Sequence, residues 1–373
     1  ILYDRYENSS IVGIAGAISI ILFLGAHATS QFVGGARLFE SMTSLPYWVG
    51  LVLFSIVVLI YTALGGIRGV STAIIVQGVT MTIAVFCLVF ATISKLSPIE
   101  ISMRKIASMD PMLISPWRWS PVFNFSLWCI FGLANISQPH GVTATLTYKD
   151  TKTMHRAMIL GAIITIIWTF PLQLMGNLAR VIYPNLEVAD YAVPMLSATV
   201  LPPYLSGIIL AGVAGAIQST VGSITLVISA SIVRDFYLTF VNPKASSKQQ
   251  KSVTQFVTAA ICIIVFLIAL RPPKALEWVI MFALGGLAAA YFFPLLLGLY
   301  WWRANEYGAC VSMGGGLLTY ILSKLGIIPS FFGMDPVVIS MLVSGILLVA
   351  VSLATPKPSK RVVMTYFGKG LNR

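Results

Sequence analysis

The chain has 373 residues, of which 57% are hydrophobic and 10% charged, and its mean hydropathy is +0.89. That balance excludes a water-soluble globular domain, in which about a quarter of the residues carry charge. The net charge of +12 raises nucleic-acid binding as a class, but the Lys and Arg residues are scattered through polar hinges and form no stripe with interleaved aromatics, so membrane topology accounts for them better.

A bilayer core of about 30 Å needs about 20 apolar residues per helix. Ten segments meet this or come close: Ile11–Val33, Tyr47–Leu64, Ile74–Ser94, Val122–Ser137, Met158–Ile182, Tyr204–Val233, Val253–Leu270, Leu276–Trp302, Ala309–Leu325 and Pro336–Leu353. The fourth is short, and the sixth and eighth are long enough to tilt or break. The expectation is an all-α membrane protein, a polytopic helix bundle, with residues 1–354 as one transmembrane domain of about ten helices and 355–373 as a cytoplasmic basic tail. The first residue is Ile1 rather than Met and no signal peptide precedes it, so the sequence reads as truncated at its start.

Ten spans put both ends on one side. The hinges carrying Arg5, Arg68, Lys149, Lys152, Arg156, Arg234, Lys244, Lys248, Lys251 and Arg303, together with Lys357, Lys360, Arg361, Lys369 and Arg373 of the tail, hold 15 of the 24 basic residues and are expected to face the cytoplasm. Of the opposite hinges, Ser94–Pro121 is long and of mixed charge. Tyr183–Pro203 contains Pro184, Pro194, Pro202 and Pro203, which suits a rigid lid over an outward vestibule, or else a plain connection.

Polar groups inside a span need a partner or a cavity. In the first segment His27, Ser30, Gln31 and Gly34 follow i, i+3, i+4, i+7 and share one helical stripe. In the fourth, Asn135, Ser137 and Gln138 precede Pro139 and His140, where a proline frees backbone groups to meet a ligand; alternatively the three satisfy one another across a helix break. In the sixth, Ser219, Thr220 and Ser223 follow a Gly/Ala-rich stretch. Ser219 and Thr220, with the carbonyl of Ala216 one turn earlier, can offer three hard oxygens to a sodium ion; the competing reading is hydroxyls bonded to their own helix. Gly285 and Gly286 mark either an unwound or a close-packed point of the eighth segment. Cys87, Cys129, Cys262 and Cys310 have no Cys-x-x-Cys spacing and read as packing residues.

Several stretches, QFVGGARLFE from Gln31, YTALGGIRG from Tyr61, SQPHGV from Ser137, YKDTKTMHR from Tyr148, AGAIQSTVGS from Ala214 and GLYWWRANEYGA from Gly298, give the chain a likeness to a known family. It resembles the sodium:solute symporters, and within them the sodium/pantothenate branch. The resemblance implies a leucine-transporter-like fold of two inverted five-helix repeats lacking its first two core helices, with the segments here running from the third core helix to the twelfth. It implies sodium as the coupling ion, held in part by Ala216, Ser219 and Thr220, with no other cofactor. It places the solute, a small organic molecule and most naturally a carboxylate, near the polar residues of the first and fourth segments: His27, Gln31, Asn135, Ser137 and Gln138.

Three positions depart from the family's pattern: Ile74 and Ala288 stand where relatives carry acidic residues, and Ala144 where they carry a basic one. A protonated His27 could then supply the missing positive charge to an anionic solute, the alternative being a neutral imidazole that serves packing. The functional expectation is sodium-coupled uptake of pantothenate in a bacterial plasma membrane. The rivals are the same transport of proline, a monocarboxylate or a sugar, or a membrane-embedded enzyme or channel. The enzyme reading finds no His-Glu-x-x-His, paired aspartates or phosphate loop, and no nucleic-acid partner is expected.

Overall fold

The structure, a computed structural model, describes residues 2–43, 45–96, 98–273 and 275–368; Ile1, Lys369 and Arg373 lie outside the described residues. No strand occurs among them. A single helical turn, Leu2–Arg5, precedes α1 (Ser10–Thr43), which runs through a wider π turn at Ile20–Leu24. Next come α2 (Tyr47–Leu64), α3 (Gly66–Lys95), α4 (Ile99–Met109), α5 (Pro121–Phe131), α6 (Pro139–Thr145) and α7 (Thr151–Ile182). The chain continues through α8 (Ala192–Val200), α9 (Pro203–Val241), α10 (Ser247–Ala269), α11 (Leu276–Tyr300), α12 (Glu306–Lys324), α13 (Pro336–Ala354) and α14 (Lys360–Phe367).

Among the described residues, eight of the ten expected spans are helices long and apolar enough to cross a membrane. The fourth is not: α5 covers 11 residues, about 16 Å of helix, and passes into a 3-10 turn at Leu133–Ser137 before Pro139 opens α6. The ninth, α12, has the length, but its Gly314–Gly316 run and terminal charges dilute its hydropathy and it falls outside the eight.

Local signals set several starts earlier than the apolar runs. Asp150 caps α7 by accepting a hydrogen bond from the Thr153 N–H at 2.6 Å, a bond that holds its carboxyl below the usual range. A capping box of Ser246 and Gln249 opens α10. α1 extends ten residues past Val33 because its polar end finds partners: Arg37 pairs with Asp190 and Glu40 accepts from the Tyr191 phenol at 2.5 Å. The two long hinges also contain structure, α4 within Ser94–Pro121 and α8 within Tyr183–Pro203.

The hub is α11. Of its most apolar stretch 72% is buried, against 6% for α7, so α11 is walled by protein while α7 presents its apolar surface to lipid. Gly285 and Gly286 do not unwind it. The helix is continuous, and side chains at these positions would collide with Tyr320 and Phe23 respectively. Lipid tails are as apolar as Leu, so helix contacts in a bilayer rest on close packing and hydrogen bonds. Gly50 shows the first, since a Cβ there would lie 2.7 Å from the Ala36 carbonyl oxygen. Ser312 shows the second, its hydroxyl donating from α12 to the Ser344 carbonyl of α13 at 2.7 Å.

The 25 residues of α11 span about 37 Å and separate two polar clusters. At its C-terminal end Arg5 donates to the carbonyls of Gly298 (2.5 Å) and Trp301 (3.2 Å), and Arg303 donates to the Thr355 carbonyl at 2.7 Å. At the other end Arg37 donates to the Pro273 carbonyl at 2.5 Å while pairing with Asp190. Arg5 and Arg303 of one charge-sorted set and Arg37 of the other thus lie at opposite ends of one helix.

Candidate functional site

The ion candidates lie together on α9. The Ser219 hydroxyl donates to the Ala216 carbonyl at 2.8 Å and the Thr220 hydroxyl to the same oxygen at 3.3 Å. The helix is regular at this point rather than unwound. Both hydroxyl hydrogens and the helix N–H point at one carbonyl oxygen, which leaves lone pairs on the two hydroxyl oxygens to face a cation, while the carbonyl would join them on giving up those donors. The same bonds are those of hydroxyls serving their own helix. Ala216 also lines a cavity of about 340 Å³ with Gly34 and Leu38 of α1, Ala84 and Leu88 of α3, and Asp190. The wall is apolar apart from Asp190, whose charge is engaged by Arg37.

The solute candidates divide. Ser137 donates to the Ala134 carbonyl at 2.6 Å and Asn135 to the Phe131 carbonyl at 2.8 Å, so each has a partner in its own turn, and Asn135 is exposed. Gln31 is half-buried and makes one long bond, to the Ser30 hydroxyl at 3.4 Å. His27 and Gln138 differ from these. His27 is 8% exposed and Gln138 3%, yet His27 Nδ1 and both amide atoms of Gln138 have no hydrogen-bond partner among the described residues. His140, two residues past Gln138, sets its ring edge-on to that of His27 with centroids 6.2 Å apart, and its Nδ1 is likewise unpartnered. A buried polar atom without a partner costs about 1–3 kcal/mol, so four of them gathered on α1 and the start of α6 form a place that a polar ligand would relieve.

The sequence reading missed His140 as a partner of His27. The one available signal was Pro139, whose fixed backbone starts α6 immediately before His140. It also missed Arg37 and Asp190, two charges whose hinge positions gave no hint that they meet. Of the departures, Ala288 is fully buried within α11, whereas Ile74 is exposed on α3.

A sequence profile of the sodium:solute symporter family matches residues 1–316. The chain belongs to that family. The chain is 36% identical over 335 residues to a sodium/pantothenate symporter of Haemophilus influenzae, covering 88% of this chain and 69% of that protein. It is 35% identical over 371 residues to a sodium/pantothenate symporter of Escherichia coli K12, covering 98% and 76%. An osmoregulated proline transporter of Bacillus subtilis is 28% identical over 358 residues, covering 95% and 73%. In fold, the chain is similar to a sodium-coupled sialic acid symporter solved in a substrate-bound outward-open state, with a TM-score of 0.77, 20% identity and coverage of 96% of this chain and 77% of that one. This family member is a multi-pass protein of the bacterial plasma membrane that couples uptake of a small organic solute to sodium.

Proposed function

We propose that this symporter carries a pantothenate-like solute, one bearing a carboxylate beside amide and hydroxyl groups, by alternating access, with the solute at His27, Gln138 and His140 and sodium at Ala216, Ser219 and Thr220. The observation that carries the reading is the set of unpartnered buried polar atoms on His27, Gln138 and His140. The Gln138 carboxamide presents one donor edge and one acceptor edge, the complement of a solute amide, and an imidazole that takes up a proton supplies positive charge to a carboxylate. The identity of about 35% with two sodium/pantothenate symporters supports the same solute class. Gln31, Asn135 and Ser137 then shape the surroundings of the solute. Sodium is cargo here, and the hydroxyls of Ser219 and Thr220 with the Ala216 carbonyl supply part of its oxygen shell.

The test is uptake by the full-length protein in proteoliposomes with and without an inward sodium gradient, followed by counterflow against labelled pantothenate, proline, a monocarboxylate and a sugar. Accumulation of pantothenate that needs the gradient is expected. Exchange of one of the other solutes in preference to pantothenate would discard the solute assignment. For the ion, Ser219→Ala and Thr220→Ala should each raise the sodium concentration for half-maximal uptake, because a lost ligand in a dry site costs about 1–3 kcal/mol.

A further inference from the structure

Along α9, Gly212, Gly215, Ser219 and Gly222 follow i, i+3, i+7, i+10 and so share one stripe. The glycines reveal what that stripe meets. A Cβ on Gly215 would lie 3.2 Å from Cβ and Cγ of Gln77 on α3, and one on Gly222 would lie 2.9 Å from Cε2 and 3.1 Å from the hydroxyl oxygen of Tyr61, at the end of α2. The two glycines are therefore notches that admit Gln77 and Tyr61, and Ser219 stands between them.

Both side chains use this access to grip the residue before Ser219. The Tyr61 phenol donates to the Gln218 main-chain carbonyl at 2.5 Å, and Gln77 Nε2 donates to Gln218 Oε1 at 3.2 Å. The Gln218 carbonyl belongs to the peptide plane that ends on the Ser219 nitrogen. Because the regular helix sets φ at Ser219, holding that plane restrains the direction of its Cα–Cβ bond relative to the Ala216 carbonyl one turn earlier. The Ser219 and Thr220 hydroxyls reach that carbonyl through freely rotating side-chain bonds, so their alignment depends on the backbone beneath them being held still. Groups one step removed from an ion's ligands commonly set ligand orientation in this way.

We propose that Tyr61 and Gln77 are positioning residues for the sodium ion, clamping Gln218 from α2 and α3 so that the Ala216, Ser219 and Thr220 oxygens stay aligned, without themselves touching the ion. This rests on the assignment of sodium to those three residues.

The test uses Tyr61→Phe, which keeps the ring in the Gly222 notch and deletes the hydroxyl, and Gln77→Leu, which keeps most of the side-chain volume and deletes the amide. Uptake by the full-length protein in proteoliposomes is measured against sodium at saturating solute and against solute at saturating sodium, with Ser219→Ala in parallel. Loss of one ordering hydrogen bond should raise the sodium half-saturation about three- to tenfold. The solute KM at saturating sodium should stay within about twofold of the parent, a split that general loosening of the bundle would not produce. Should Tyr61→Phe fail to reach the membrane, Gln77→Leu carries the same comparison. If Ser219→Ala leaves sodium dependence unchanged, the ion lies elsewhere and the positioning role falls with it. If Ser219→Ala shifts it while Tyr61→Phe and Gln77→Leu do not, the positioning role alone is overturned. Equal rises in the sodium and solute constants would overturn it as well.

Discussion

The contact between Arg37 and Asp190 should act as a latch on the lid formed by α8 and the turn before it. Arg37, at the polar end of α1, has a side chain 7% exposed, while that of Asp190 is 22% exposed. The guanidinium makes a fork, one arm to Asp190 and the other to the Pro273 carbonyl, and so ties the lid and the hinge before α11 to α1. Asp190→Asn leaves a buried cation with a weaker partner. Breaking a fully buried pair costs about 3–5 kcal/mol, but the Asp190 side keeps some water, so about 1–3 kcal/mol is the appropriate range. That corresponds to an increase of about 5- to 150-fold in the fraction of time the lid stands open. Leu38 is buried and lines the cavity beside Val193 and Pro194 of α8, so a cysteine there reports opening. On a background lacking Cys87, Cys129, Cys262 and Cys310, thiol labelling at position 38 in membrane vesicles should accelerate at least about fivefold in Asp190→Asn. Arg37→Lys should resemble it, because an ammonium cannot span both acceptors as the planar fork does. A labelling rate within about twofold of the parent in both variants would refute the latch. A second tie, from the Tyr191 phenol to Glu40, should not be sensitive to physiological pH. Burial, and then the bond to Glu40, push that phenol up to about 12, so its contribution is fully present below the ordinary tyrosine range and is lost only as pH rises through about 12.

Gln138→Leu should raise the solute KM about tenfold by removing both amide contacts, whereas Asn135→Ala, at an exposed residue bonded to its own turn, should stay within about twofold; equal effects would dissolve the distinction between them. If protonated His27 receives a carboxylate, solute affinity should weaken as pH rises from about 5.5 to 8.5 in the parent and become nearly flat in His27→Gln, while superimposable profiles would leave His27 a packing residue. Single cysteines in the Lys149–Arg156 and Lys244–Lys251 hinges should resist an impermeant thiol reagent in intact cells, and those between Ile99 and Pro116 should react. Labelling of the Lys244 hinge would reverse the proposed orientation.

The class of the molecule was legible along the chain because the physics that decides it is local. A run of about 20 apolar residues is a span whatever surrounds it, and caps such as Asp150 and Ser246 depend on backbone groups three residues away. The pairing of Ser219 and Thr220 with the Ala216 carbonyl was legible for the same reason, since i−3 and i−4 neighbours are set by the helix alone. The run Asn135, Ser137, Gln138 marks where that reasoning stops. The first two groups find carbonyls in their own turn, while the third is buried with no hydrogen-bond partner among the described residues, and no spacing rule separates them. Whether a buried polar atom is satisfied depends on which distant segment the fold brings beside it. His27 meets His140, Arg37 meets Asp190 and Tyr61 meets Gln218 only once the helices have packed, so the latch, the unpartnered cluster and the clamp on α9 belong to the tertiary structure.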